Sequence, residues 1–339
     1  MPRFPASDIR QYRIPLTTPF RGLMQREGLL LRGPAGWGEF APFSDYGFEQ
    51  DAFWLAAAIE MMAGQVPKPL VSTVPVNAIL AEQEPAALTD EVHRVVSLTG
   101  AHTVKMKVGS ADLAIDLARV AAVRTALDAF LGDVRGAIRL DVNCQWSVNT
   151  AAAALTELMQ FGIEYVEQPC ATIVELEQLR DQMPDLPIAV DESLRRDRDF
   201  AGAARVADVA VLKVAPLGGG HEVKRLAIEL GLPVVISSAM ESSIGLSRDA
   251  CVAAALSEQP LASGLSTAVL HEYDVVSDPL LPRDGQLTAQ LVEPDPATLV
   301  ERTKPPSSDW LARLAAAWEQ ARHAGLVPAE QLEALEVES

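Results

Sequence analysis

Aromatic residues are scarce, at 5% of a 339-residue chain, which argues against a protein that stacks sugar rings or bases on a platform of side chains. Cysteine is scarcer still. Cys144, Cys170 and Cys251 give an odd count without CxxC spacing, so neither a disulfide framework nor a thiolate zinc site is indicated. Basic residues are outnumbered, 28 Lys and Arg against 46 Asp and Glu, and the net charge of −18 excludes nucleic acid and anionic membrane surfaces as natural partners. No run of about 18 uncharged apolar residues occurs, and MPRFPASDIRQYRIP lacks the apolar stretch of a signal peptide, so a cytoplasmic location is expected. Solenoid repeats, low-complexity tracts and Gly/Ser linkers are absent as well.

What the chain does have is apolar content, 49%, distributed in short runs with helix-like segments between them. VNAIL (76–80), TVKMKV (103–108), IRLDVN (138–143), EYVEQ (164–168), IAVDES (188–193), VAVLKV (209–214), PVVISS (233–238) and LASGL (261–265) follow one another at 21 to 35 residues. Segments such as 113–131 and 151–162 carry apolar residues at helical spacing. Eight such units predict an α/β fold, a modified (β/α)7β barrel of the TIM type. Residues 1–72 read differently, as a small α+β capping domain: a strand-like start, a turn-rich stretch (GPAGWGEFAPFSDYG) and an amphipathic segment. The barrel is expected over 73–280, and 281–339 as a tail, helical from Trp310, that packs back on the cap.

Charges interrupt the apolar runs near their ends. Lys105 and Lys107 share one face of the second run, and Arg139, Asp141 and Asn143 one face of the third. Glu167, Asp191 and Lys213 end the fourth, fifth and sixth. Each alone has a bland reading: a solvated strand face for the lysines, a helix N-cap for Asp191, a loop carboxylate for Glu167. Their registration on five consecutive strands favours one shared site at the carboxyl rim, where barrel active sites lie. Three carboxylates without His or Cys are hard oxygen ligands suited to Mg²⁺, or Mn²⁺ in its place. A cation and two flanking lysines form a site able to remove a proton beside a substrate carboxylate, with Lys105 lowering the protonated fraction of Lys107.

In order, K-x-K (Lys105, Lys107), D-x-N-x-x-W (Asp141, Asn143, Trp146), E-Q-P (Glu167, Gln168, Pro169), D-E-S (Asp191, Glu192, Ser193) and Lys213 followed by Gly218 and Gly219 resemble the enolase superfamily over essentially the whole chain. Within it, the likeness is to the muconate-lactonizing subgroup and its o-succinylbenzoate synthases. A lysine base with Mg²⁺ is the arrangement known for that superfamily, so this chemistry is the family's own. The resemblance implies Asp141, Glu167 and Asp191 as metal ligands, Lys107 as general base and acid, and Lys213 as the cation opposite. It also implies a small carboxylate substrate and syn-dehydration through an enediolate in menaquinone biosynthesis. Ser237 and a backbone N–H of Gly264 would bind the substrate, alongside Lys105 and Arg139, with Asn143 supporting the metal ligands. For Ser237 and Ser238 a satisfied strand-end hydroxyl is the competing reading.

Phe20, in PFRGL (19–23), is expected with GWGEFAPFSDY (36–46) to close over the barrel mouth. Dipeptide epimerases of the subgroup carry Asp-x-Asp where this chain has Gly264, Leu265, Ser266 and Thr267, which disfavours that activity. N-succinylamino-acid racemase activity stays open, as do, outside the family, a glycosidase and a metal- or ligand-binding barrel without catalysis. The Gly218–Gly220 run reads as a barrel turn rather than a phosphate loop.

Overall fold

The computed structural model describes residues 8–20, 22–80 and 83–328, with the side chain of Phe20 outside the description. Strand Ile9–Phe20 pairs antiparallel with Leu23–Gly33, which pairs with Gly36–Phe40. The short strand Thr303–Lys304 adds to the free edge of the first, completing a four-stranded sheet. Helix Phe48–Met62 is Ala-rich and buried along most of its length. It shares a hydrophobic core with helix Ser308–His323, whose Leu314, Ala317, Trp318 and Ala321 are buried. The tail helix starts two residues before Trp310, capped by the Ser307 side chain, which accepts the Trp310 N–H.

Seven parallel strands follow in simple sequential order: Asn77–Leu80, Thr103–Lys107, Ala137–Asp141, Ile163–Glu167, Ile188–Val190, Val209–Leu212 and Val234–Ile236. Helices Leu113–Leu131 and Val148–Leu158 fill the segments expected to be helical. The eighth run forms two isolated bridges rather than a full strand. Ser263 bridges Val76 and Gly264 bridges Ser237, both parallel, and these bridges close the sheet into a barrel. The Gly264 N–H donates to the Ile236 carbonyl at 2.8 Å and its own carbonyl accepts the Ser238 N–H at 3.0 Å. A Cβ at Gly264 would meet the Ser237 Oγ at 2.8 Å, so any larger residue would have to push that hydroxyl aside.

Two ionic contacts tie the cap to its surroundings. Glu60, from helix Phe48–Met62, accepts the N–H groups of Gly220 and His221 at the N-terminus of helix Gly220–Leu230. Gly219, at φ 118°, leaves room there, since a Cβ would lie 2.6 Å from the Glu60 Oε2. The glycine run thus receives a carboxylate of the same chain. On the other side, the fully buried Asp51 binds Arg313 of the tail helix through Nε at 2.6 Å and Nη2 at 2.8 Å. Arg313 also donates to the carbonyls of Pro42 and Phe43.

Removing one member of a buried pair leaves a charge without compensation, at a cost of about 3–5 kcal/mol. Arg313→Ala is expected to lower unfolding stability in urea by that amount, and Arg313→Lys by less. A midpoint unchanged in both variants would show that this pair does not hold the tail helix to the cap.

Candidate active site

Strand register places the site. Lys107 pairs with Asp141 and Asp141 with Glu167, so the three stand in one layer at the carboxyl rim. Lys105, Arg139 and Tyr165 form the layer beneath. Asp191 directly follows its strand, and Lys213 follows the next. Under them Tyr165, Ala189, Val211 and Val235 make a small apolar floor. The charged layer therefore sits between an apolar plug and an open mouth, which strengthens every electrostatic interaction in it.

The carboxylates are buried: Glu167 is 0% exposed, Asp191 2% and Asp141 6%. The Lys105 ammonium reaches both Glu167 oxygens at 2.6 Å and the Asp141 Oδ2 at 3.0 Å. Burial works against its charge, yet Asp141 and Glu167 together hold Lys105 well above the usual lysine range. Burial pushes Glu167 up to about 7 although Lys105 pulls it down, with Asp141 and Asp191 adding to the rise. Asp191 moves the other way. Against its burial, Arg195 and then Lys213 keep it well below the usual carboxylate range. The Lys213 ammonium donates to the Asp191 Oδ2, and the Arg195 Nε to Oδ1 at 2.8 Å.

The loops after the strands bend sharply to deliver these groups. Asn143 (φ 49°), Cys144 (φ 66°), Gln168 (φ 42°) and Met240 (φ 62°) all adopt the left-handed region without being glycine, and all lie at the barrel's mouth. Such backbone persists where the surroundings over-determine it. Here the determinants are visible: the Asn143 N–H donates to the Asp141 Oδ1 at 3.2 Å, and the Gln168 side chain accepts the N–H groups of Asp191 and Ser193. The Asn143 amide also reaches the Glu192 Oε1 at 3.4 Å.

A cleft opens over this layer. Lys105, Lys107, Asp141, Asn143, Asp191, Lys213, Ser237 and Gly264 line it, with Phe43 from the cap above. Glu167, in the same layer, does not line the cleft and is bound by Lys105. Two expected contacts fall elsewhere. Arg139, 1% exposed, is not at the cleft: it turns down to Glu164 at 2.5 Å, the Asn77 Oδ1 at 3.3 Å and the Ala262 carbonyl, stacked 4.8 Å over Tyr165. Two residues short of Asp141 on the same face, it is one layer too deep. The Gly264 N–H is consumed by the barrel seam, so only its Cα surface faces the cleft. Asp191 makes no side-chain cap bond to the helix it precedes, so the N-cap reading gives way to the ion pairs. Ser238 is a satisfied hydroxyl, bonded to the Thr267 Oγ1 at 2.6 Å and accepting the Met240 N–H. Of the two expected closing loops, GWGEFAPFSDY contributes Phe43 to the cleft, whereas the Phe20 side chain and Arg21 lie outside the described residues.

Arg195 is the residue that pattern reading missed. It lines the cleft, binds Asp191 and the Glu192 Oε1, and donates to the Tyr46 hydroxyl of the cap at 2.5 Å. Its i+4 spacing from Asp191 was the available signal, hidden because the helix carrying it is a single turn, Glu192–Arg195.

The donor set suits a divalent cation chemically: three buried carboxylates that require positive charge between them. Among the described residues no three acidic, His or Cys groups converge closely enough to hold an ion. The two ammonium groups take up the oxygens instead, so a cation would displace Lys105 and Lys213 from them.

Comparison with known proteins agrees with this geometry. Residues 11–62 match the enolase N-terminal domain-like family and residues 87–294 the enolase C-terminal domain-like family. The chain is 48% identical over 319 residues to the o-succinylbenzoate synthase of Thermobifida fusca, spanning 92% of this chain and 97% of that one. It is 42% identical over 291 residues to that of Mycobacterium ulcerans, spanning 84% and 85%. Among solved structures, a muconate lactonizing enzyme from Pseudomonas fluorescens superposes with a TM-score of 0.73 at 21% identity, covering 88% of this chain and 98% of that one. With both halves of the fold matched and the charged residues in register at the barrel mouth, the chain belongs to the enolase superfamily.

Proposed function

We propose that this chain is an o-succinylbenzoate synthase, a carbon–oxygen lyase that converts 2-succinyl-6-hydroxy-2,4-cyclohexadiene-1-carboxylate to 2-succinylbenzoate in the cytoplasm. The observation that carries the proposal is the near full-length identity of 48% to a synthase, joined to a cleft lined by three lysines and two of three strand-end carboxylates. In this reading residues 1–72 and 281–339 form the cap and 73–280 the barrel.

Asp141, Glu167 and Asp191 would hold Mg²⁺. Bound there, the cation would offset the negative charge that develops on the substrate carboxylate. Lys107, at the cleft wall and in register with Asp141, takes the α-proton and then returns it to the departing hydroxide on the same face. Lys105 keeps its charge through Asp141 and Glu167, which fixes a cation one layer below Lys107. Lys213 is a fixed cation on the far side, stabilising charge without moving a proton. Phe43 and the cap loop exclude water, and the Ser237 hydroxyl at the cleft wall would meet the succinyl carboxylate.

Purified protein supplied with the cyclohexadiene carboxylate and Mg²⁺ should form 2-succinylbenzoate, chelation should stop the reaction, and Mg²⁺ or Mn²⁺ should restore it. Asp191→Asn is expected to lower metal-dependent turnover by roughly 10² or more. Full turnover in that variant would remove Asp191 from the ligand set.

Lys213→Arg separates dehydration from racemisation, because arginine keeps the cation but stays protonated. Some dehydration should survive in this variant, and any racemisation of N-succinyl amino acids should vanish, since that reaction needs a base on each face. Wild-type racemisation far faster than dehydration would make the racemase reading the correct one.

A further inference from the structure

The cleft has two walls built by distant parts of the chain, and one buried side chain joins them. On the barrel side, Met240 lies in the loop after the seventh strand, held in the left-handed region at φ 62°. On the cap side, Phe43 follows the third cap strand. Arg26, in cap strand Leu23–Gly33, is 3% exposed and touches both. Its Nε donates to the Met240 carbonyl at 3.2 Å, its Nη2 donates to the Ala41 carbonyl, and its guanidinium carbon lies 4.3 Å from the centre of the Phe43 ring. Nothing of Arg26 lines the cleft itself.

A planar fork with donors fixed in direction can satisfy two carbonyls and an aromatic face together, which a lysine cannot. The burial of a guanidinium is tolerated only because these partners are in place, so its partners are held as firmly as the charge is. The strained backbone at Met240 needs such an outside determinant.

We propose that Arg26 is a positioning residue for substrate specificity: it sets the spacing between Phe43 and Met240, and so the width of the cleft above Lys107, without touching the substrate. Its kinetic consequence rests on the dehydration proposed above, whereas the clamp itself does not. Because the base, the carboxylates and Lys213 sit on barrel strands that Arg26 does not contact, loss of the clamp should weaken substrate binding and leave the chemical step nearly intact.

The test uses the full chain with Arg26→Met, which keeps an apolar stem against Phe43, and Arg26→Lys, which keeps the charge but not the fork. Expected in both is a rise in KM of roughly tenfold or more with kcat within about threefold of wild type. Hydrogen exchange should accelerate at the amides of residues 41–46 and 238–242 and stay unchanged at 138–141. A fall in kcat at unchanged KM, unaltered exchange at either wall, or acceleration spread equally over the barrel strands would overturn the proposal and leave Arg26 a general stabiliser. If the wild-type protein does not dehydrate the cyclohexadiene carboxylate, the proposed function fails, and the exchange pattern still decides the clamp.

Discussion

Three carboxylates buried side by side at the ends of adjacent parallel strands repel one another and have lost their water, and the molecule is organised around compensating them. Lys105 stands between Asp141 and Glu167, and Lys213 and Arg195 hold Asp191 from two sides. That arrangement explains why lysines occur in strands otherwise made of Val, Ile and Leu. A divalent cation would offset the same three carboxylates in place of the ammonium groups.

Much of this was legible in the sequence because a barrel strand has a period of two and a fixed end. Lys107, Asp141 and Glu167 fall in register by that rule alone, and Asp191 and Lys213 follow from the spacing of the apolar runs. Depth was harder to read. Arg139 shares a face with Asp141, yet two residues of strand carry it below the rim, where Glu164 and Tyr165 receive it. The Gly264 amide was misjudged for a different reason: the eighth strand is so short that its backbone is needed to close the barrel. Arg26 leaves no local signal because its partners lie on other segments, Met240 being 214 residues away, whereas the spacing of Arg195 from Asp191 is masked by a helix of a single turn. Periodicity reports which face a residue occupies, not what waits there.

The cap is joined to the barrel by charged side chains that each find backbone partners across the boundary. Glu60 occupies the N-terminus of a barrel helix, and Glu39 does the same for helix Ser243–Leu256, accepting the Ser242 and Gly245 N–H groups as well as the Tyr12 hydroxyl. Arg313 reaches from the tail helix to the carbonyls of Pro42 and Phe43, next to the ring that roofs the cleft. The roof is thereby fixed from above by the tail and from the side by Arg26. Specificity in such a design resides in the cap and the loops, and the proton chemistry in the barrel strands.

In the proposed dehydration one lysine, Lys107, would perform both proton movements while Lys213 only supplies charge. Rapid-mixing rates for Lys107→Ala and Lys213→Ala on the cyclohexadiene carboxylate, measured at saturating Mg²⁺ with fold checked by circular dichroism, test it directly. Lys107→Ala should lose on the order of 10³–10⁴ or more in rate and be rescued in part by added small amines, whereas Lys213→Ala should not be rescued with the pH dependence of a base. A folded Lys107→Ala protein that dehydrates at the wild-type rate would contradict it.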